Sequence, residues 1–167
     1  MKMTIPEVLE AASKTTNYDE RIAILKRNET FGLRTMLQAL FHPGIVFNLP
    51  EGAPPYRADV APIGHSPSNL DRQSRKMRYL AHGPEMAKGA MKREEIFVAI
   101  LESVHSTEAE FLIQVKEKNC IYPGIDQKVV WDAFPGIVPE PTEEKKKTTK
   151  RKAADSSNGQ EKTTAGN

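Results

Sequence analysis

Residues 30–41 read TFGLRTMLQALF. Thr30 is of a type that caps helix N-termini, and Phe31, Leu33, Met36, Leu37, Leu40 and Phe41 follow it at spacings that cover a wide helical face. A helix apolar around so much of its circumference has to be surrounded by other elements. The stretch therefore predicts the central helix of an all-α core.

On the N-terminal side, Thr4-Ile5-Pro6-Glu7 reads as a helix start. Thr4 stands at the cap, Pro6 falls in the first turn where its missing N–H costs nothing, and Glu7 is placed to complete a capping box. That helix is expected to run to about Lys14 and to break at Thr15-Thr16-Asn17. Tyr18, Ile22, Ile24 and Leu25, set among charged residues, then predict a second short amphipathic helix.

On the C-terminal side, residues 42–69 hold six prolines and three glycines, which forbid a continuous helix and leave few donors for a strand. A long loop is expected, ordered or flap-like, with Ile45, Val46, Phe47 and Leu49 packed on the core. The segment Pro54-Pro55-Tyr56-Arg57 reads as structural or as recognition loop, and loops of this length in small domains are often functional. Leu70 to Leu80 is helical in pattern and unusually basic, with Arg72, Arg75, Lys76 and Arg78 against Asp71. Lys88, Lys92 and Arg93 follow the Gly83-Pro84 break, so a positive surface over residues 72–93 is expected if the two segments are neighbours. The plainer reading of the same residues is a solvated helix face.

Lys92 to Val104 carries Ile96, Phe97, Ile100, Leu101 and Val104 at helical spacing, with Glu94 and Glu95 in the expected first turn. Ser106 is the expected cap of the next helix, where Phe111, Leu112 and Val115 form the buried stripe and Glu108 lies near the capping-box position, so the two helices make a hairpin. After the turn at Tyr122-Pro123-Gly124, Asp126 caps a last short helix driven by Val129, Val130, Ala133 and Phe134 and stopped by Pro135-Gly136. The fold expected is a compact all-α bundle of about six or seven short helices over residues 1–141, with a long proline-rich loop at 43–69. Residues 142–167 contain no apolar side chain larger than Ala, too little to offset the entropy of ordering, so a disordered tail is expected.

Charge is unevenly distributed. The tail carries seven Lys/Arg against four acids, whereas the remainder holds 17 bases against 18 acids. Bulk charge does not mark the folded part as a nucleic-acid domain, so any such contact must come from local clustering. The tail cluster Lys145, Lys146, Lys147, Lys150, Arg151 and Lys152 reads either as a basic arm adding salt-dependent phosphate affinity or as a solubilising tail.

Signatures of catalysis are missing. The sequence has no phosphate-binding G-x-x-x-x-G-K-[ST], no dinucleotide fingerprint and no G-x-S-x-G elbow. His42, His65, His82 and His105 lack ligand spacing, and the lone Cys120 excludes an internal disulfide and a cysteine metal site. Lys116 and Lys118 near Cys120 would lower its pKa, although a buried turn cysteine is the plainer expectation. Ser66 and Ser68 near His65, and Ser103 and Ser106 near His105, read as caps rather than as a hydrolase site. The chain is expected not to be an enzyme, and to need no cofactor, metal or small-molecule substrate. No apolar run approaches the ~20 residues of a membrane helix and the start lacks a signal peptide's apolar stretch, so a soluble protein of a reducing cytoplasm is expected.

With these elements in order, the chain resembles the amino-terminal, DNA-binding helical domain of bacteriophage ATP-dependent DNA ligases, and small phage proteins that carry that module alone. The resemblance rests on IPEVLEAASKTTNYDERIAILKRNETFGLRTML at 5–37 and on the exit IDQKVVWDAFPGIVPE at 125–140, and it covers roughly residues 1–141. The ligases' Lys-x-Asp-Gly is absent, because Pro139-Glu140-Pro141 runs straight into the charged tail, and the segment 43–69 is longer than its ligase counterpart. The resemblance implies sequence-tolerant binding of the duplex backbone and minor groove, in the cytoplasm of a phage-infected bacterial cell. In this sequence Arg72, Arg75, Lys76, Arg78, Lys88, Lys92 and Arg93, with the tail lysines, would serve it. The rival expectation is an adaptor for a protein of the phage replication or transcription machinery, docking through 43–69 and making no DNA contact.

Overall fold

The computed structural model describes residues 2–142; the tail residues named above lie outside this range. Among the described residues the secondary structure is helical, with no strand beyond two isolated β-bridges. Helix α1 spans Ile5–Lys14, α2 Tyr18–Arg27, α3 Phe31–Phe41, α4 Leu70–Gln73, α5 Ala90–Ser103, α6 Ser106–Lys116 and α7 Gln127–Ala133. A 3-10 segment, Ser74–Tyr79, continues α4.

The N-terminal caps follow the side-chain chemistry. Thr4 donates its backbone N–H to Glu7 Oε2 at 2.7 Å, while the Glu7 N–H donates to Thr4 Oγ1 at 3.5 Å, which completes the capping box. Asn17, Thr30, Asn69 and Asp126 accept first-turn N–H groups of α2, α3, α4 and α7. Two expectations are corrected. His105, not Ser106, caps α6 by accepting the Thr107 N–H on Nδ1 at 3.3 Å. Helix α5 begins at Ala90, two residues early, so Glu94 and Glu95 lie beyond its first turn.

Helix α3 is the centre of the core, packed on α4, the 3-10 segment and α6; α1 packs on α2 and α6, α2 on α7, and α5 on α6. Leu33, Met36, Leu37 and Leu40 are buried with Leu9, Leu25, Leu70, Phe97, Leu101, Phe111 and Leu112. Phe31, expected in this core, is 59% exposed. The helix period explains it: at ~100° per residue, Phe31 points about 160° away from Leu33.

The loop between α3 and α4 is ordered and pinned along its length. Asn48 N–H donates to Leu80 O at 2.9 Å, His82 N–H to Val46 O at 2.9 Å, and Ser68 N–H to Ser103 O at 2.8 Å. Gly52 N–H donates to Glu117 Oε1 at 2.7 Å and Arg57 N–H to Glu102 Oε1 at 3.0 Å. Ile45, Phe47, Leu49 and Tyr56 pack on the core while Val46 stays exposed. Pro54 to Arg57 is thus tied to the fold through the Arg57 N–H and the Tyr56 ring. Three basic side chains also serve the backbone. Arg21 joins Ala12 O, Thr15 O and Gly124 O; Lys116 reaches Pro50 O at 2.7 Å; Lys118 binds Ala39 O and His42 O at the C-terminus of α3, where a cation also complements the helix dipole.

Candidate nucleic-acid interface

The register of the 3-10 segment creates a basic face. With three residues per turn, side chains three apart eclipse one another. Ser74, Met77 and Leu80 fall on the inner line and are buried. Arg75 and Arg78 fall on an outer line and are exposed, as are Lys76 beside them and Arg72 in α4 before them. At ~2 Å of rise per residue, Arg75 and Arg78 stand about 6 Å apart along the axis. Six residues is long for this kind of helix, whose runs seldom exceed 3–4. Loop contacts hold its end in place, since Leu80 O accepts the Asn48 N–H and Ala81 is bridged to Phe47.

The arginines differ in what already occupies them. Arg78 lies 5.0 Å over the Tyr79 ring, donates to the Tyr79 hydroxyl at 3.1 Å and pairs with Glu85 at 3.6 Å. The Arg75 guanidinium lies 5.7 Å from the centroid of the Phe31 ring. Arg72 lines a cleft of about 420 Å³ shared with Lys2, Glu7, Ser66, His105 and Glu108. Of the acids near the row, Glu85 pairs with Arg78 and Asp71 is engaged elsewhere. Burial works against the charge of Asp71, but the Thr30 hydroxyl, the Gly32 N–H and nearby Lys2 together hold its carboxyl below the usual range.

The second basic segment joins the first only in part. Ala87 N–H donates to Tyr79 O at 2.8 Å, which brings the backbone before Lys88 against the end of the 3-10 segment. Lys88 and Lys92 are exposed, Lys92 pairing with Glu95 at 3.3 Å. Arg93 does not belong to the surface: it is 8% exposed and donates to Asn48 O and Ala87 O, each at 2.9 Å. Its place on the inner stripe of α5, four residues before Phe97, removes it from any outward face. The lysines and arginine of 145–152 lie outside the described residues.

Phe31 was not among the expected site residues, yet it flanks the row beneath Arg75. The α3 N-terminus can approach it because residue 32 is glycine. A Cβ there would lie 2.5 Å from the Asp71 Cα, and the Gly32 N–H donates to Asp71 Oδ1 at 2.7 Å.

Two other expectations concern reactive groups. Burial pushes the Cys120 thiol up rather than down, and its Sγ donates toward Ile125 O at 3.3 Å. Lys116 and Lys118 point to carbonyls instead. His105 is occupied by capping, with Thr107 Oγ1 2.9 Å from its Nδ1. Burial raises the Glu108 carboxyl, which nevertheless accepts the Leu70 N–H at 3.1 Å. Among the described residues no helix is long and apolar enough to cross a membrane, and no three His, Cys, Asp or Glu side chains gather as a metal site.

Fold and surface together define a small helical protein with an exposed arginine row beside a bare aromatic ring. Residues 8–122 match a family of unknown function, DUF6433, and the chain belongs to that family. The matched span takes in the loop, the arginine row and α3, and stops short of α7. No curated protein matches the chain.

Proposed function

We propose that this chain is a non-catalytic accessory protein of bacteriophage DNA replication or repair that binds duplex DNA through its phosphates, without strong sequence preference. The observation that carries the reading is the cluster of exposed cations Arg72, Arg75, Lys76 and Arg78 on α4 and the 3-10 segment. Such cations neutralise phosphates and release counterions, a contact that carries no base information. The resemblance of 5–37 and 125–140 to the phage ligase module agrees with it.

Fluorescence anisotropy of a labelled nicked duplex across a salt series tests it. Arg75→Ala with Lys76→Ala is expected to reduce the slope of log K against log salt by roughly one to two units. An unchanged slope would remove the row from the interface.

A second reading has its own observation. Val60 is 96% exposed and Ile63 42% exposed on a loop whose backbone is pinned, an apolar pair suited to docking a protein of the phage replication or transcription machinery.

A further inference from the structure

Phe31 is the one exposed phenylalanine among the described residues, at 59%. Its exposure is held rigidly. It opens α3, whose next turn is buried at Leu33, Met36 and Leu37, and the backbone beneath the ring is fixed by the bond from Gly32 N–H to Asp71. Shallow hollows lie on both sides. One is shared with Arg34, Thr35 and Gln38, the other with Thr35, Gln38, Arg75 and Arg78. The ring thus has Arg75 and Arg78 on one flank, a hydroxyl and an amide at its edge, and on the other flank Arg34, whose guanidinium lies 5.9 Å from the Phe134 ring centroid. The acids nearby are engaged: Glu29 by Arg34 at 2.9 Å, Glu85 by Arg78, and Asp71 by Gly32 and Lys2.

An apolar ring among phosphate-binding cations fits one kind of partner surface, a nucleobase whose π-face is free. A base inside a continuous duplex is stacked on its neighbours and offers none. Aromatic side chains beside a basic track hold unpaired bases in this way, with little regard for sequence. Resting on the DNA reading above, we propose that Phe31 is a stacking platform for an unpaired base, so that the basic face prefers duplex interrupted by a single-stranded gap over continuous duplex. The base replaces the Arg75 guanidinium over the ring, and Arg75 turns to the phosphate of the same nucleotide. Thr35 and Gln38 meet the edge of the base.

The test uses the full chain and three labelled DNAs of equal length: a continuous duplex, a duplex with a short single-stranded gap, and the same gap made of abasic sites. The expected result is tightest binding to the base-bearing gap. Phe31→Ala should lower that affinity roughly ten- to a hundredfold, to the abasic level, with affinity for continuous duplex unchanged. In a Trp131→Phe background, Phe31→Trp should keep the preference and lose emission on binding the base-bearing gap but not the abasic one. Equal affinity of wild type and Phe31→Ala for the gap overturns the proposal, and so does emission that ignores the bases. If wild type binds continuous duplex in an Arg75- and Lys76-dependent way while Phe31→Ala changes nothing, stacking alone fails. If no DNA is bound, the DNA reading fails with it.

Discussion

Arg75 and Arg93 carry the same guanidinium and do opposite work. Arg75 is exposed over Phe31, whereas Arg93 is enclosed and ties Asn48 O to Ala87 O. Removing Arg93 strands two carbonyls and opens the junction between the pinned loop and α5. Arg93→Ala is expected to lower stability by about 2–3 kcal/mol, and Arg75→Ala by less than about 0.5 kcal/mol, as read from urea unfolding. Equal costs would mean that the two arginines had been assigned to the wrong surfaces. The distinction was readable in the sequence, since Arg93 precedes Phe97 by four and Ile100 by seven, on the apolar stripe. By charge Arg93 belongs with the basic surface, and by helical period it belongs inside. Phe31 obeys the same rule, since its apolar character suits the core but its angle around α3 turns it outward. His105 is different in kind, because imidazole is an uncommon cap beside a serine that caps more often.

At the scale of elements, Glu108 joins the starts of α4 and α6 by accepting the Leu70 N–H. Burial raises its pKa above the ordinary 4.5. The folded chain therefore holds this proton at pH values where the unfolded chain has lost it. Its contribution is complete below the ordinary value, falls as pH rises through the folded pKa and then levels. Glu108→Gln keeps an acceptor for Leu70 and cannot ionise. The difference in unfolding free energy between wild type and Glu108→Gln should move in favour of the variant as pH rises from 4.5; a difference independent of pH would mean that Glu108 titrates normally. The helices were legible where caps and periodicity agreed, as in α1, with Thr4 and Glu7, and in α7, with Asp126 and the Pro135-Gly136 stop. The basic segment was legible as helical but not as 3-10. Leu70, Met77 and Leu80 suit either period, and packing on α3 and on the 46–48 segment decides between them.

For the molecule as a whole, the open expectation about residues 43–69 resolves into a loop tied to three other parts of the chain. Proline and glycine content announced the loop, but the carbonyls and carboxylates that hold it are distant in sequence and follow no local pattern. Because its backbone is load-sharing, removing 51–66 would also sever the bonds to Glu102 and Glu117. Val60→Asp with Ile63→Asp is the cleaner test of the docking reading. The pair should leave the melting temperature and DNA anisotropy unchanged, and should abolish co-purification of a replication or transcription protein from infected cells if that reading holds; unchanged co-purification would exclude this face. The same ties have a consequence for synthesis. Helices α1 and α2 can pack on each other as they leave the ribosome, but α6, which also packs on α1 and α3, and α7, which packs on α2, follow later. The Leu70 N–H waits for Glu108, and the Arg57 N–H for Glu102. The first half of a nascent chain therefore cannot complete its core until translation has passed the second half.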